Sequence, residues 1–261
     1  MTLNNQGLAA AMISSPLISK LLITVLSIFL LLHTMKAMSE SLELIAINPN
    51  GQHQATVIWL HGLGADGYDF EPIVPELNIP ADAAVRFVFP HAPKMPVTVN
   101  GGYVMRAWYD IAATDLGIQQ DAEGIKRSQQ QLNDLIEAEI AQGVPAENII
   151  LAGFSQGGAI VLQAGLRYPK RLGGIMVLSS YVPLAETLAE EKHPANQDVP
   201  IFYGHGEQDD VIPISFAEQS RDLLLAQGYK VEWSSYAMPH AVVPDEIDAM
   251  GVWFRKVLAI N

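Results

Sequence analysis

The sequence contains no cysteine, and this absence narrows the chemistry open to the protein. A chain without thiols has no disulfide bond, no thiolate metal ligand and no cysteine nucleophile. Positive charge is also scarce, since 15 lysines and arginines stand against 28 aspartates and glutamates and leave a formal net charge of −13. Because nucleic acids and anionic membranes are bound mainly through lysine and arginine, the composition predicts that neither is the partner.

Three signatures of cofactor or metal binding are missing as well. The chain has no G-x-x-x-x-G-K-[ST] phosphate loop and no H-E-x-x-H zinc motif, and the turn at 153–158 lacks the G-x-G-x-x-G spacing of a dinucleotide site. His205, Glu207 and Asp209 are close enough in sequence to suggest a metal site, but no further ligand pattern supports one. We therefore predict neither a cofactor nor a metal ion.

A run without charged residues lies near the N-terminus, at 21–32. It is short for a membrane helix, which needs roughly 20 apolar residues, and is more typical of the apolar region of a signal peptide. The alternative is that translation starts at Met35 or Met38. We predict an N-terminal extension over 1–37 and a single domain over 38–261. We expect a cytoplasmic protein, unless residues 17–34 act as an export signal or a membrane anchor.

After residue 39 the chain alternates between short apolar runs and amphipathic segments, which predict strands and helices respectively. Several of the strands are almost uniformly apolar, as is typical of strands that are buried on both faces of a parallel sheet. The pattern predicts an α/β fold with a mostly parallel central sheet and helices on both faces. The predicted strands are 42–48, 55–60, 85–90, 148–153, 174–180, 199–206 and 230–236, and the predicted helices are 118–142, 159–168, 215–227 and 244–258.

The stretch Gly153-Phe-Ser-Gln-Gly157 matches G-x-S-x-G and lies between a predicted strand and a predicted helix. This context is the one that a nucleophile elbow requires, because the sharp turn exposes the serine and leaves room only for glycine on either side. The helix that follows points backbone N–H groups at a developing negative charge. Ser155 is therefore a candidate nucleophile, although a glycine-rich turn with an unreactive serine would have the same local sequence.

A serine nucleophile needs a general base, and the base needs an orienting carboxylate; in an elbow of this type the chain order is serine, acid, histidine. Of the seven histidines, His193, His205 and His240 follow Ser155. Three acids come directly after the predicted strand 199–206, and His240 is the one histidine downstream of them. We assign Ser155, Asp209 and His240 as the catalytic set. The alternatives to Asp209 are its neighbours Glu207 and Asp210.

An oxyanion hole for this chemistry takes one backbone N–H from the residue after the nucleophile and one from the loop after an early strand. These requirements point to Gln156 and to Leu63, which lies in the glycine-containing loop that follows strand 55–60. His61 precedes the serine in the chain, so we interpret it as a structural histidine that holds this loop.

Five motifs in sequence order carry a resemblance to a known family: LHGLGADGYDF, MRAWYDI, GFSQGGAI, GHGEQDDVIP and MPHAV. Over about 40–260 the chain resembles the phospholipase/carboxylesterase family of α/β-hydrolases, which includes bacterial carboxylesterases and acyl-protein thioesterases. The resemblance implies an α/β-hydrolase fold without a large lid domain and without a cofactor. It also implies a possible homodimer, favours Asp209 over Asp210, and supports the assignment of Ser155 and His240, with Leu63 and Gln156 as oxyanion donors.

The function expected from these residues is the hydrolysis of carboxylic esters of short to medium acyl chains, so the partner is a small ester or acyl substrate. A thioesterase or lysophospholipase would use the same residues, and a non-catalytic binding module on the same fold is the alternative from another class. We expect the loops 63–77 and 91–108, including Trp108, to line the acyl groove.

Overall fold

The computed structural model describes residues 42–113 and 120–260. The predicted extension over 1–37 and the segment 17–34 therefore lie outside the described residues. The elements in chain order are β1 (Leu44–Ile47), β2 (Ala55–Leu60), β3 (Val85–Pro90), β4 (Lys94–Val97), β5 (Tyr103–Arg106), α1 (Ala122–Ala141), β6 (Ile149–Phe154), α2 (Gln156–Gly165), β7 (Gly174–Leu178), α3 (Leu188–Glu191), β8 (Ile201–Gly206), α4 (Ile214–Ala226), β9 (Val231–Tyr236) and α5 (Pro244–Val257).

Seven strands form one sheet in the order β1-β3-β2-β6-β7-β8-β9. Strand β1 runs antiparallel to β3, and the other neighbours pair in parallel. The carboxyl ends of the parallel strands therefore meet at one edge of the sheet, where loops carry the chemistry in folds of this kind. The α/β-hydrolase fold with a mostly parallel sheet is confirmed, and the described residues from Leu42 onward belong to one compact unit.

The sheet is covered on both faces, and β2 is buried along its whole length. Ile58 and Leu60 belong to the core on the face that is covered by α1 and α2. Val57 and Trp59 point to the opposite face, where Trp253 and Phe254 of α5 complete a second core. Alternate residues of a strand face opposite sides, so a strand between two layers has no solvent-facing position.

Several boundaries differ from the predicted ones. The helix predicted at 159–168 begins at Gln156, directly after Ser155, and ends at Gly165. The strand predicted at 174–180 ends at Leu178, because Ser179 has a positive φ of 46° that a strand cannot continue through. The turn-rich stretch 91–104 contains most of an antiparallel hairpin, β4–β5, which the sequence did not predict.

Within 42–113 and 120–260, no helix is both long enough and apolar enough to cross a membrane.

Candidate active site

Ser155 occupies the sharp turn between β6 and α2, with φ 55° and ψ −121°. This conformation is rare for a residue with a side chain, and it persists only where the surroundings enforce it. A Cβ atom on Gly153 would lie 2.5 Å from the carbonyl group of Gly157. A Cβ atom on Gly157 would in turn overlap the carbonyl oxygen of Leu60 at the end of β2. The two glycines of the motif therefore allow the turn to close and α2 to approach β2.

His240 lies in the loop between β9 and α5 and faces the serine. Its Nε2 atom is 2.9 Å from Ser155 Oγ. The imidazole packs against the ring of Phe154, with the ring centroids 4.7 Å apart, and its side chain is 15% exposed. The imidazole is therefore largely shielded from solvent, and the aromatic ring of Phe154 supports it.

Asp209 lies on the other side of the His240 ring from Ser155, since its Oδ2 atom is 2.7 Å from His240 Nδ1. The other carboxylate oxygen accepts hydrogen bonds from the backbone N–H groups of Val211 at 2.9 Å and Ile212 at 2.7 Å. Burial by itself would raise the pKa of Asp209, but the hydrogen bonds from His240 and from these two amides outweigh it and lower the pKa. An ionised carboxylate only accepts hydrogen bonds, so Nδ1 of His240 carries the proton and Nε2 presents its lone pair to the serine hydroxyl.

The two neighbouring acids point elsewhere. Asp210 is exposed, and Glu207 is exposed and accepts a hydrogen bond from Ser235 Oγ at 2.9 Å. The structure therefore brings Asp209, and neither alternative, to the histidine. Because Glu207 faces away, His205, Glu207 and Asp209 do not converge, and the described part of the chain holds no group of three or more histidines and acids that is arranged for a metal ion.

His205 is buried behind Asp209 and was not given a role by the sequence. Its Nε2–H donates to the carbonyl oxygen of Ile212 at 2.9 Å and lies 3.5 Å from Asp209 Oδ2. Burial lowers the pKa of His205, which favours the neutral ring. The neutral imidazole fixes the loop that presents Asp209 without placing a positive charge beside it.

The loop after β2 lies against the serine, as the oxyanion assignment requires. A Cβ atom on Gly62 would be 3.4 Å from Ser155 Cβ. His61 holds this loop: its Nδ1–H donates to the carbonyl of Gly62 at 2.7 Å, and its Nε2 accepts the N–H of Ala92 at 3.0 Å. Burial lowers the pKa of His61 to about 4, so the ring is neutral and can both donate and accept. Leu63 follows directly in this fixed loop.

Gln156 is the first residue of α2, so its backbone N–H lacks an acceptor within the helix. Its buried side chain has a task that the sequence did not reveal. The amide oxygen accepts the N–H of Trp108 at 2.8 Å, and the amide nitrogen donates to the carbonyl of Tyr109 at 2.7 Å. The residue beside the nucleophile is thereby joined to a segment 48 positions earlier in the chain. The sequence did contain an indication of this role, because Gln156 is a polar amide at the start of an otherwise apolar helix.

The prediction that Trp108 lines an acyl groove is wrong. Trp108 is 2% exposed and belongs to the core between the sheet and α1. Its indole N–H donates to the carbonyl of His61 at 2.9 Å, and its own carbonyl accepts from Ser128 Oγ. Trp108 therefore ties the loop after β2 to the segment held by Gln156.

Comparisons with known proteins show which family this chain resembles. Residues 43–258 match the family model described as Phospholipase/Carboxylesterase. The chain is 41% identical over 216 residues to acyl-protein thioesterase 1 of Gibberella zeae, covering 79% of this chain and 92% of that protein. It is 34% identical to a probable carboxylesterase of Oryza sativa subsp. japonica, with 79% of each chain covered. The crystal structure of Zea mays acyl-protein thioesterase 2 superposes with a TM-score of 0.74 at 30% identity, covering 83% of this chain and 99% of that one.

Proposed function

Because the chain belongs to the phospholipase/carboxylesterase family of hydrolases, we propose that it is a serine esterase that hydrolyses carboxylic esters of short to medium acyl chains through an acyl-enzyme. One observation carries this proposal: Ser155 Oγ, the imidazole of His240 and the carboxylate of Asp209 form a continuous row with distances of 2.9 and 2.7 Å. This is the arrangement in which a histidine can take the proton of a serine hydroxyl while a carboxylate stabilises the resulting imidazolium.

Acylation begins when Ser155 Oγ attacks the ester carbonyl and its proton passes to Nε2 of His240. The carbonyl oxygen becomes negatively charged, and the backbone N–H groups of Gln156 and Leu63 donate to it. When the tetrahedral intermediate collapses, the carbon–oxygen bond to the alcohol breaks and His240 gives its proton to the leaving alkoxide. The acyl group remains bonded to Ser155.

Deacylation repeats these steps with water. His240 takes a proton from the attacking water molecule, and the hydroxide adds to the acyl carbonyl in the same oxyanion environment. Collapse of this second intermediate breaks the bond to Ser155 Oγ, which recovers its proton from His240. The carboxylic acid leaves, and the enzyme returns to its starting state without any cofactor.

Hydrolysis of p-nitrophenyl esters from acetate to palmitate by the full-length chain tests this proposal. We expect turnover that depends on chain length, and a fall of about 10³-fold or more in kcat for Ser155→Ala, because nucleophile and base act as one unit. A wild-type rate in Ser155→Ala would refute the assignment of the nucleophile. If neither protein hydrolyses any ester or thioester, the chain is a non-catalytic binding module on the hydrolase fold.

A second candidate is an acyl-protein thioesterase, which would use the same residues. The name of the Gibberella zeae relative, at 41% identity, favours this candidate. The proposal of an oxygen-ester substrate and that of a thioester substrate differ only in the leaving group. Measuring kcat/KM for an S-acylated peptide and for the same peptide O-acylated on serine separates them, since the preferred leaving group has the larger value.

A further inference from the structure

The main-chain carbonyl oxygen of Ser155 accepts two hydrogen bonds. One comes from the N–H of Ala159 at 3.1 Å, which is the ordinary first bond of α2. The other comes from the hydroxyl of Ser180 at 2.6 Å, and no helix requires it. Ser180 is fully buried and lies two residues beyond the end of β7. A side chain 25 positions away is therefore bonded directly to the backbone of the candidate nucleophile.

The end of β7 holds Ser155 from both sides of its α-carbon. The N–H of Ser155 donates to the carbonyl of Leu178 at 2.9 Å, and its carbonyl receives the Ser180 hydroxyl. A residue at φ 55° and ψ −121° relaxes toward an ordinary conformation unless both of its peptide groups are fixed. Any such relaxation rotates Cβ and moves Oγ away from His240.

Ser180 is itself fixed from behind by a buried tyrosine. Tyr203 of β8 donates its hydroxyl to the carbonyl of Ser180 at 2.6 Å. Burial raises the pKa of Tyr203, so its phenol stays protonated and remains a donor. The hydroxyl of Ser220 on α4 accepts the N–H of Val182, two residues after Ser180, at 2.9 Å. Buried hydroxyl groups of α4 and β8 thus hold the segment around Ser180, which is itself bonded to the turn that carries Ser155.

The neighbouring serine offers a contrast. Ser179 is also fully buried, and its backbone N–H donates to the carbonyl of Gly204 at 2.9 Å. Its hydroxyl oxygen has no hydrogen-bond partner among the residues that the structure describes. Two adjacent buried serines therefore differ in one respect that matters here, namely whether the hydroxyl reaches Ser155.

We propose that Ser180 is a positioning residue for the nucleophile: its hydroxyl fixes the Ser155 peptide so that Oγ faces Nε2 of His240. The inference rests on the proposed function, because it assumes that Ser155 is the nucleophile. Removing the hydroxyl leaves the Ser155 carbonyl with the Ala159 donor, so we expect the protein to fold and the position of Ser155 Oγ to become less precise.

The test compares Ser180→Ala with Ser179→Ala in the full-length chain, using p-nitrophenyl acetate at 25 °C and the thermal unfolding of each variant. We expect kcat to fall about tenfold in Ser180→Ala with KM unchanged. A tenfold change is about what the loss of one hydrogen bond produces. Ser179→Ala should keep kcat within twofold of the wild type. The rate of labelling of Ser155 by a fluorophosphonate should fall by the same factor as kcat in Ser180→Ala, which a loss of stability alone would not produce.

Each outcome separates this inference from the proposed function. If Ser155→Ala is as active as the wild type, the proposed function itself is wrong. If Ser155→Ala is inactive while Ser180→Ala and Ser179→Ala have equal kcat and labelling rates, the positioning role is wrong and the proposed function stands. Should Ser180→Ala fail to fold, Tyr203→Phe takes its place: a threefold or larger fall in kcat supports the role, and an unchanged kcat overturns it.

Discussion

Replacing Glu246 with glutamine should leave the protein about as stable as the wild type at acid pH and make it more stable at alkaline pH. Glu246 belongs to the first turn of α5 and is fully buried. Neither carboxyl oxygen has a hydrogen-bond partner among the described residues. The carboxyl group lies against the bare backbone of Gly204 in β8, where any side chain would overlap it. Burial raises the pKa of Glu246 from 4.5 to about 8.

The magnitude follows from the difference in pKa between the two states. Each unit corresponds to about 1.4 kcal/mol, so a pKa of about 8 in place of 4.5 corresponds to about 5 kcal/mol in the free energy of unfolding. The unfolded chain releases the proton near pH 4.5, whereas the folded chain keeps it until about pH 8. This contribution is therefore fully present below pH 4.5 and is lost as the pH rises through 8. Glutamine cannot ionise, so the stability of the variant does not fall in this pH range for this reason.

Two other titratable groups with shifted pKa values do not cancel this difference. Tyr236 of β9 has its pKa raised, mainly by its own burial and in part by Glu246 and Asp245. His61, whose pKa is lowered to about 4, changes stability in the opposite direction, because the folded state disfavours its protonated form at acid pH. Its raised pKa keeps Tyr236 protonated between pH 5 and pH 8 in the wild type, and His61 is present in both proteins, so the difference between the two proteins isolates Glu246.

Urea unfolding at pH 5, 6.5 and 8 measures this difference, with Glu190→Gln on α3 as the control for an exposed glutamate. The free energy of unfolding of Glu246→Gln minus that of the wild type should increase by several kcal/mol between pH 5 and pH 8. Glu190→Gln should show no such trend. A constant difference across the three pH values would mean that the buried carboxyl group is already ionised in the folded protein, and the reasoning would fail.

Three further substitutions test the site. Gly157→Ala places a Cβ atom on the carbonyl at the end of β2, so α2 must shift; we expect a folded protein, checked by circular dichroism, with kcat at least about 10²-fold lower. Gln156→Glu replaces the N–H group that donates to Tyr109 with an acceptor, and urea unfolding should show a loss of about 3 kcal/mol, whereas an unchanged midpoint contradicts the bond. Asp209→Asn should lower kcat by about 10³–10⁴-fold with little change in KM, and equal loss in Asp210→Asn would contradict the assignment of the acid.

The sequence was most informative where a single physical requirement acts locally. Strands 55–60 and 85–90 were predicted with the bounds that the structure gives, because their β-branched content and their glycine or proline borders are typical of strands. The order of serine, acid and histidine along the chain was equally restrictive. Chain order selected His240 without any knowledge of distance, and the structure places its Nε2 atom 2.9 Å from Ser155 Oγ.

Local propensity failed at the start of α2 for a physical reason. Gly157 and Gly158 each disfavour a helix by about 1 kcal/mol relative to alanine, so the predicted helix began after them. In the folded chain α2 begins before them, at Gln156. The glycines are needed inside the helix because a Cβ atom on Gly157 would overlap the end of β2. The requirement comes from a strand about a hundred positions earlier, and a window along the sequence does not contain it.

Buried polar groups mark the limit of what the sequence predicts here. A buried glutamine or serine must find a hydrogen-bond partner, so the sequence indicates that one exists but not which. The partner of Gln156 is 48 positions away, and that of the Ser180 hydroxyl is 25 positions away. Both bonds lead to the turn around Ser155, whose φ of 55° and ψ of −121° are rare for a residue with a side chain. Two buried polar side chains whose partners the sequence did not reveal, those of Gln156 and Ser180, therefore support the turn that carries the predicted nucleophile.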